Sequence, residues 1–242
     1  MIHDLENQSL LVRFDHLVRT VSSDRFLAME GIGNEVPFFI CPFRPEETLQ
    51  MNKAIDNLHV QVQVKRRNIN VKRINLYDLC LSMLKEEGVW ELIIERESEH
   101  SKDEWLEQFQ MLFDAESHLA PAIYECVKDK NYDVLFLEGV GEVYPYVRTH
   151  VLLENLAKYL NKKPMIMFFP GKYEQTMHAG ASLKLFDLLP PDNYYVWRRL
   201  HGLIIKQLSG PIQYLCFHIE KSLLHFVNYL IVFFRFVDFI LF

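Results

Sequence analysis

Patterns that mark common chemistries are scarce in this chain. Its four cysteines, Cys41, Cys80, Cys126 and Cys216, lie far apart with no C-x-x-C pair, so zinc-ribbon and thioredoxin-type motifs are excluded. Reduced thiols in a cytoplasmic protein are the expectation that remains. The ten histidines provide neither H-x-x-x-H nor H-E-x-x-H, which removes zincin chemistry at motif level. No G-x-x-x-x-G-K-[ST] loop and no G-x-S-x-G elbow is present: Gly171-Lys172 is followed by Tyr173, and Ser182 in "GAS" has no base near it in sequence. Phosphate-loop ATPase and serine-hydrolase readings therefore lack their main parts. Positive charge is also in deficit, with 26 Lys and Arg against 32 Asp and Glu. A net charge of −6 argues against a broad basic surface, so direct DNA binding is not expected. The opening "MIHDLENQSLLVRF" carries charges throughout and no apolar signal core, and predicts a cytoplasmic location. Repeats and low-complexity linkers are missing too.

Core material is plentiful: half the residues are apolar and 13% are aromatic. Residues 1–29 read as helix, with Leu10, Leu11, Phe14, Leu17, Val18 and Val21 at three-to-four spacing and Ser23 or Asp24 placed to cap a second short helix. "GIGNE" (31–35) predicts a turn, and "VPFFICPF" (36–43) a strand buried on both faces. Residues 45–67 predict a long helix whose basic end, Lys65 to Arg67, suits the negative pole of its dipole. "VKRINLY" (71–77) predicts a strand, and "SKDE" (101–104) a capping box ahead of another helix. Then follow a buried strand (132–140), a helix (146–161), a strand (164–171), a helical pattern (176–189) and a further strand at "NYYVW" (193–197). The alternation predicts one three-layer α/β domain with a mostly parallel sheet of about four or five strands, like a degenerate ATPase core without a phosphate loop.

The most site-like stretch is "FLEGVGEVYPYVRTH" (136–150), an apolar strand, an acid, a glycine turn and a helix. Gly139-Val140-Gly141 has two of the three glycines of a dinucleotide fingerprint, and Glu142 beside it repels phosphate. Glu138 sits where an α/β sheet delivers a magnesium-associated acid; the structural alternative is helix capping or pairing with an Arg. Arg148 and His150 open the next helix, and a salt bridge from Arg148 to Glu138 or Glu142 is the structural alternative to a binding role. Glu116 and His118 read as a capping cluster rather than a ligand pair. Pro170-Gly171 brings a second turn to the same edge, and "GIGNE" a third. The candidate partner- or ligand-binding surface is therefore Gly31, Gly33, Asn34, Glu35, Glu138, Gly139, Gly141, Glu142, Arg148, His150 and Gly171. No catalytic residue, metal ligand or cofactor is assigned.

Five blocks in order carry a resemblance: "RFLAMEGIGNEVPFFICPF" (25–43), "INLYDLCLSMLKE" (74–86), "ESHLAPAI" (116–123), "YDVLFLEGVGEVYPYVRTH" (132–150) and "MFFPGKY…GASLKLF" (167–186). Over about residues 8–195 the chain resembles the BrxB family, a component of BREX bacteriophage-exclusion systems. The resemblance implies a cytoplasmic bacterial defence protein encoded beside a DNA methyltransferase, a large ATPase and the phosphatase-like protein PglZ. It further implies a non-catalytic assembly or adaptor subunit that binds the PglZ-like component. The alternative from the residues is a regulatory subunit of the same system that binds a nucleotide without hydrolysing it. The sequence departs from the family pattern near Tyr195, so residues 1–199 are read as the domain and 200–242 as an atypical apolar tail, aberrant or buried by a partner. Its last twenty residues include sixteen apolar or aromatic ones, long enough to span a bilayer. Arg235 and Asp238 fall inside that run, which makes a membrane role costly and not expected.

Overall fold

The computed structural model describes residues 8–30, 36–66, 68–176, 180–187, 192–193, 198–200 and 203–205. The chain divides into Met1–Leu208 and Ser209–Phe242, and every described residue belongs to the first unit. The fold is α/β. Four parallel strands form its centre in the order β2 (Val71–Asn75), β3 (Val134–Glu138), β4 (Met165–Thr176) and β1 (Phe38–Phe43). Two short antiparallel strands, β8 (Leu203–Ile205) and then β7 (Arg198–Leu200), extend the sheet beyond β1. Past Pro170, β4 continues into an antiparallel ribbon with β5 (Gly180–Leu185), which in turn pairs with β6 (Asp192–Asn193).

Alternate residues of the central strands feed two separate cores, which is why β1, β3 and the start of β4 read as apolar runs, while β2 (VKRIN) is only partly buried. One face buries Phe39, Cys41, Val134, Phe136, Ile166 and Phe168 under α1 (Leu10–Val21) and α3 (Thr48–Lys65). The other buries Phe38, Ile40, Leu135, Leu137, Met167 and Phe169 under α4 (Leu76–Glu86), α7 (Ala120–Val127) and α8 (Thr149–Leu156). This is the three-layer arrangement that the alternation of strands and helices predicts. On α3 the buried residues Met51, Ile55, Leu58 and Val62 recur at three-to-four spacing and make one continuous stripe.

Local chemistry sets several helix boundaries. The Ser23 hydroxyl accepts from the Phe26 N–H and opens α2 (Asp24–Leu27). Ser101 and Glu104 form the reciprocal capping box of α6 (Lys102–Leu112). Between α6 and α7, after the short α5 (Trp90–Arg96), lies a π-helical turn, Ala115–Leu119. Asp114 caps that turn by accepting from Glu116 N–H and Ser117 N–H, while Glu116 itself pairs with Lys158 at 2.8 Å. At the end of α3, Arg66 reaches across to the Ser22 carbonyl and to Asp24.

Two sequence expectations are corrected. The stretch 176–189 is not helical: Gly180–Leu185 is strand β5, with Leu185 opposite Gly171. Leu183 and Leu185 are both buried at a spacing of two, whereas Leu183 and Phe186 sit at a helix-like spacing of three, so the apolar pattern fitted both templates. The helix expected from residue 146 begins at Thr149; one turn from Val143 O to Val147 N–H at 3.0 Å is not continued, because Arg148 is extended. The strand expected at 193–197 lies outside the described residues except for Asn193, as do "GIGNE", Cys216 and the apolar run 223–242. Among the described residues no helix is long and apolar enough to cross a membrane.

Candidate functional site

Residues 139–148 leave the carboxyl end of β3 and form a loop held down by apolar side chains. Val140, Val143 and Val147 are each at most 4% exposed, so every third or fourth residue is pinned in the core. Glu142 and Tyr144 between them, and Arg148 just after, are exposed. Aromatic neighbours fix the outer half of the loop. Tyr146 meets Phe109 of α6 edge-on at 5.0 Å, and Tyr144 meets Phe186 at 6.3 Å. Gln110 donates to the Pro145 carbonyl at 3.3 Å. The Tyr144–Pro145 peptide is cis.

The glycines of this loop are explained by close packing. Gly139 has φ +75°, and a Cβ there would stand 2.5 Å from Oδ1 of Asn75. That Asn75 oxygen is already engaged, accepting from the Tyr77 and Asp78 N–H groups to cap α4. The turn thus seats its backbone on a helix cap, which accounts for the glycine by close packing alone. At Gly141 a Cβ would press on Pro170 and Phe186, at 2.8 and 2.9 Å. Gly171, with φ +155°, lies against the Lys184 carbonyl, which a Cβ would approach to 2.1 Å. Of the three glycine turns expected at one edge, the structure brings these two together. Gly31, Gly33, Asn34 and Glu35 lie outside the described residues, and the described chain resumes at Val36, by the amino ends of the strands.

Glu138, 8% exposed, gives both carboxylate oxygens to Arg73 of β2: Nε to Oε1 at 2.6 Å and Nη2 to Oε2 at 2.7 Å. Arg73 also reaches Asp56 of α3 at 2.7 Å. The hydrogen bonds to Glu138, ahead of those to Asp56, hold the Arg73 guanidinium above even its usual high range. The expected salt bridge from Arg148 to an acid is therefore corrected: Arg73 takes Glu138, and Arg148 stands exposed before α8 with no acid partner among the described residues. His150 is half-buried on the first turn of α8. A second pair closes the same face of the sheet, where Arg13 of α1 meets both oxygens of Glu47 at 2.7 and 2.6 Å. Beside it, burial pushes the Cys41 thiol up to about 12, although Arg13 pulls the other way. Among the described residues no three His, Cys, Asp or Glu side chains converge as a metal site would require.

Sequence reasoning missed Arg73, Asn75, Tyr144 and Phe186 as parts of this edge. Asn75 had a readable signal, since Asn directly before an apolar-periodic helix is a preferred cap. Arg73 had none, because its partners lie 65 residues downstream and on the preceding helix.

Comparison with known proteins gives one consistent result. The family profile described as "BREX protein BrxB" matches residues 72–200. A BREX protein BrxB of Bacillus cereus (strain H3081.97) is 29% identical over 186 residues, covering 76% of this chain and 93% of that protein. A BREX protein BrxB of Escherichia coli O9:H4 (strain HS) is 26% identical over 185 residues, covering 76% of this chain and 87% of that protein. No solved structure matches. The matched region holds β2, β3, the anchored loop and the turn at Gly171, and by that match the chain belongs to the BrxB family and is a BREX phage-defence component.

Proposed function

We propose that this BREX component is a non-catalytic adaptor whose anchored loop, residues 139–148, grips another BREX protein, with the PglZ-like component as first candidate. The observation that carries the reading is the division of labour within the loop. Its valines are buried, while Glu142, Tyr144 and Arg148 are displayed on a backbone that is already held in place. A backbone already held in place loses little freedom on association, and Tyr and Arg are enriched among residues that dominate interface energetics. The acid best suited to metal or nucleotide contact, Glu138, is committed to Arg73, which favours a structural task for it over a ligand-binding one.

The test is co-purification. The tagged full chain, expressed with its neighbouring BREX genes, is expected to retain the PglZ-like protein or the methyltransferase. Glu142→Lys and Arg148→Glu are expected to reduce that recovery at least ten-fold with the thermal midpoint unchanged. Recovery unaffected by both charge reversals would remove the loop as the contact surface.

A further inference from the structure

A second surface lies at the opposite margin of the sheet. β2 ends the strand order, and among the described residues β3 is its sole neighbour. The direction of its backbone groups follows from Asn70, just before the strand. The Asn70 carbonyl accepts from Asp133 N–H at 2.7 Å and Val134 N–H at 3.4 Å, and its own N–H donates to Asp133 Oδ2 at 2.7 Å. Both Asn70 groups thus face β3, and strand alternation turns those of Lys72 and Ile74 the same way. The N–H and C=O groups of Val71 and Arg73 therefore point outward, away from β3, along an edge with no strand beyond it among the described residues.

Basic side chains line the space beside this edge. A cavity of about 270 Å³ opens at the amino end of β2, with Lys72, Lys130, Gln63, Asn131 and Tyr132 in its walls. Neither Lys72 nor Lys130 has a carboxylate partner among the described residues. Of the nearby acids, Asp133 accepts from Asn70 N–H, Asp56 and Glu138 hold Arg73, and Asp129 acts on Lys128. Lysine on an edge commonly blocks pairing between identical chains. A second copy laid antiparallel about Arg73 would set two Lys72 side chains on one face of the joined sheet, between molecules that each carry −6. The same lysine admits a strand that arrives with carboxylates.

We propose that the outer edge of β2 is a docking strand for an extended acidic segment of another protein, which pairs with Val71 and Arg73 and sets its carboxylates against Lys72 and Lys130. Main-chain hydrogen bonds hold the segment, and the acid at alternate positions selects it. The surface is separate from the loop of Glu142 and Arg148 and stands without that reading.

The full-length protein is tested against an array of acetylated, amidated seven-residue peptides alternating valine with glutamate, serine or lysine. Glutamate peptides are expected to be captured at least ten-fold more strongly than lysine peptides, and a central proline in the peptide to abolish capture. Val71→Pro deletes one outward N–H at the first strand position, where proline is tolerated, and is expected to weaken capture at least ten-fold. Lys72→Glu leaves the β2–β3 ladder intact and is expected to move the preference toward lysine peptides. Equal capture of both charge types, capture that survives in a folded Val71→Pro variant, or a glutamate preference that persists in Lys72→Glu would overturn the proposal. So would a dimer in sedimentation that Val71→Pro dissolves, since the edge would then serve a second copy.

Discussion

On the α1/α3 face, charged side chains tie the carboxyl ends of the strands to the helices: Arg13 of α1 to Glu47 at the entrance of α3, and Arg73 of β2 to Glu138 and to Asp56. On the opposite face the same margin is closed without charge, by Val140, Val143 and Val147 and by the ring contacts of Tyr146 and Tyr144. An arginine fork meeting two carboxylates is directional, so it specifies which strand neighbours which helix. Apolar clamping is less directional but needs no polar partner. It leaves the polar residues of the loop unspent and displayed. The face that looks richer in chemistry is thus the one whose charges are used up internally, and the loop that displays Glu142, Tyr144 and Arg148 is the one closed by valines.

Consecutive phenylalanines of β4 compare the two cores directly, since Phe168 enters one and Phe169 the other, each at most 2% exposed. Phe168→Ala and Phe169→Ala are each expected to cost about 3–5 kcal/mol in urea unfolding. A difference between them above about 2 kcal/mol would show that one face collapses into its cavity and the other does not. Next in size, Arg73→Leu leaves Glu138 buried and unpaired, with an expected loss of about 2–4 kcal/mol. Pairing Arg73→Leu with Glu138→Leu is expected to restore most of it, because the penalty belongs to the stranded charge. A double variant as unstable as the single would break the contrast between a charge-tied and an apolar face.

Gly139→Ala forces a Cβ against the cap of α4 at positive φ, and about 2–3 kcal/mol is expected. Gly88 has φ +69° with nothing within 4 Å of a Cβ, so Gly88→Ala isolates the conformational part at about 1 kcal/mol. Equal losses at the two sites would mean that Asn75 yields freely. The smallest effect is at Asp114. Partial burial pushes this carboxyl up, but hydrogen bonds from the Ser117 hydroxyl, the Ser117 N–H and the Glu116 N–H outweigh it and hold it below the usual range. A depressed carboxylate stabilises the fold fully above its unfolded value, about 3.9, and that contribution is lost as pH falls through the folded value. Asp114→Ala is expected to cost about 1 kcal/mol at neutral pH. Thermal melts from pH 7 downward should show the two proteins converging in the acid range; a gap that stays constant would assign the loss to packing.

The capping box at Ser101 and Glu104 was legible because both partners lie within one turn. The strands at 38–43 and 134–138 were legible because burial on both faces writes an unbroken apolar run, while the strand expected at 71–77 stops at Asn75, which caps α4. The β4–β5 ribbon was not legible. Its leucines satisfy two periods at once, and the strand is set by its antiparallel pairing with β4, where Gly171 leaves room for the Lys184 carbonyl. The short strand Leu203–Ile205, within the segment read as an apolar tail, gains its place from pairing with β1 across the middle of the chain.

Local terms, those settled within a few residues, were determined by the sequence itself: helix caps, the apolar alternation that requires an α/β sandwich, and the missing phosphate loop. The tertiary structure alone decided that Glu138 belongs to Arg73, that the glycine turn rests on a helix cap, and that Arg148 is left exposed. Each of those outcomes depends on a partner far away in the chain. Charge pairing and close approach act through space, and the linear order of residues carries no distance between them.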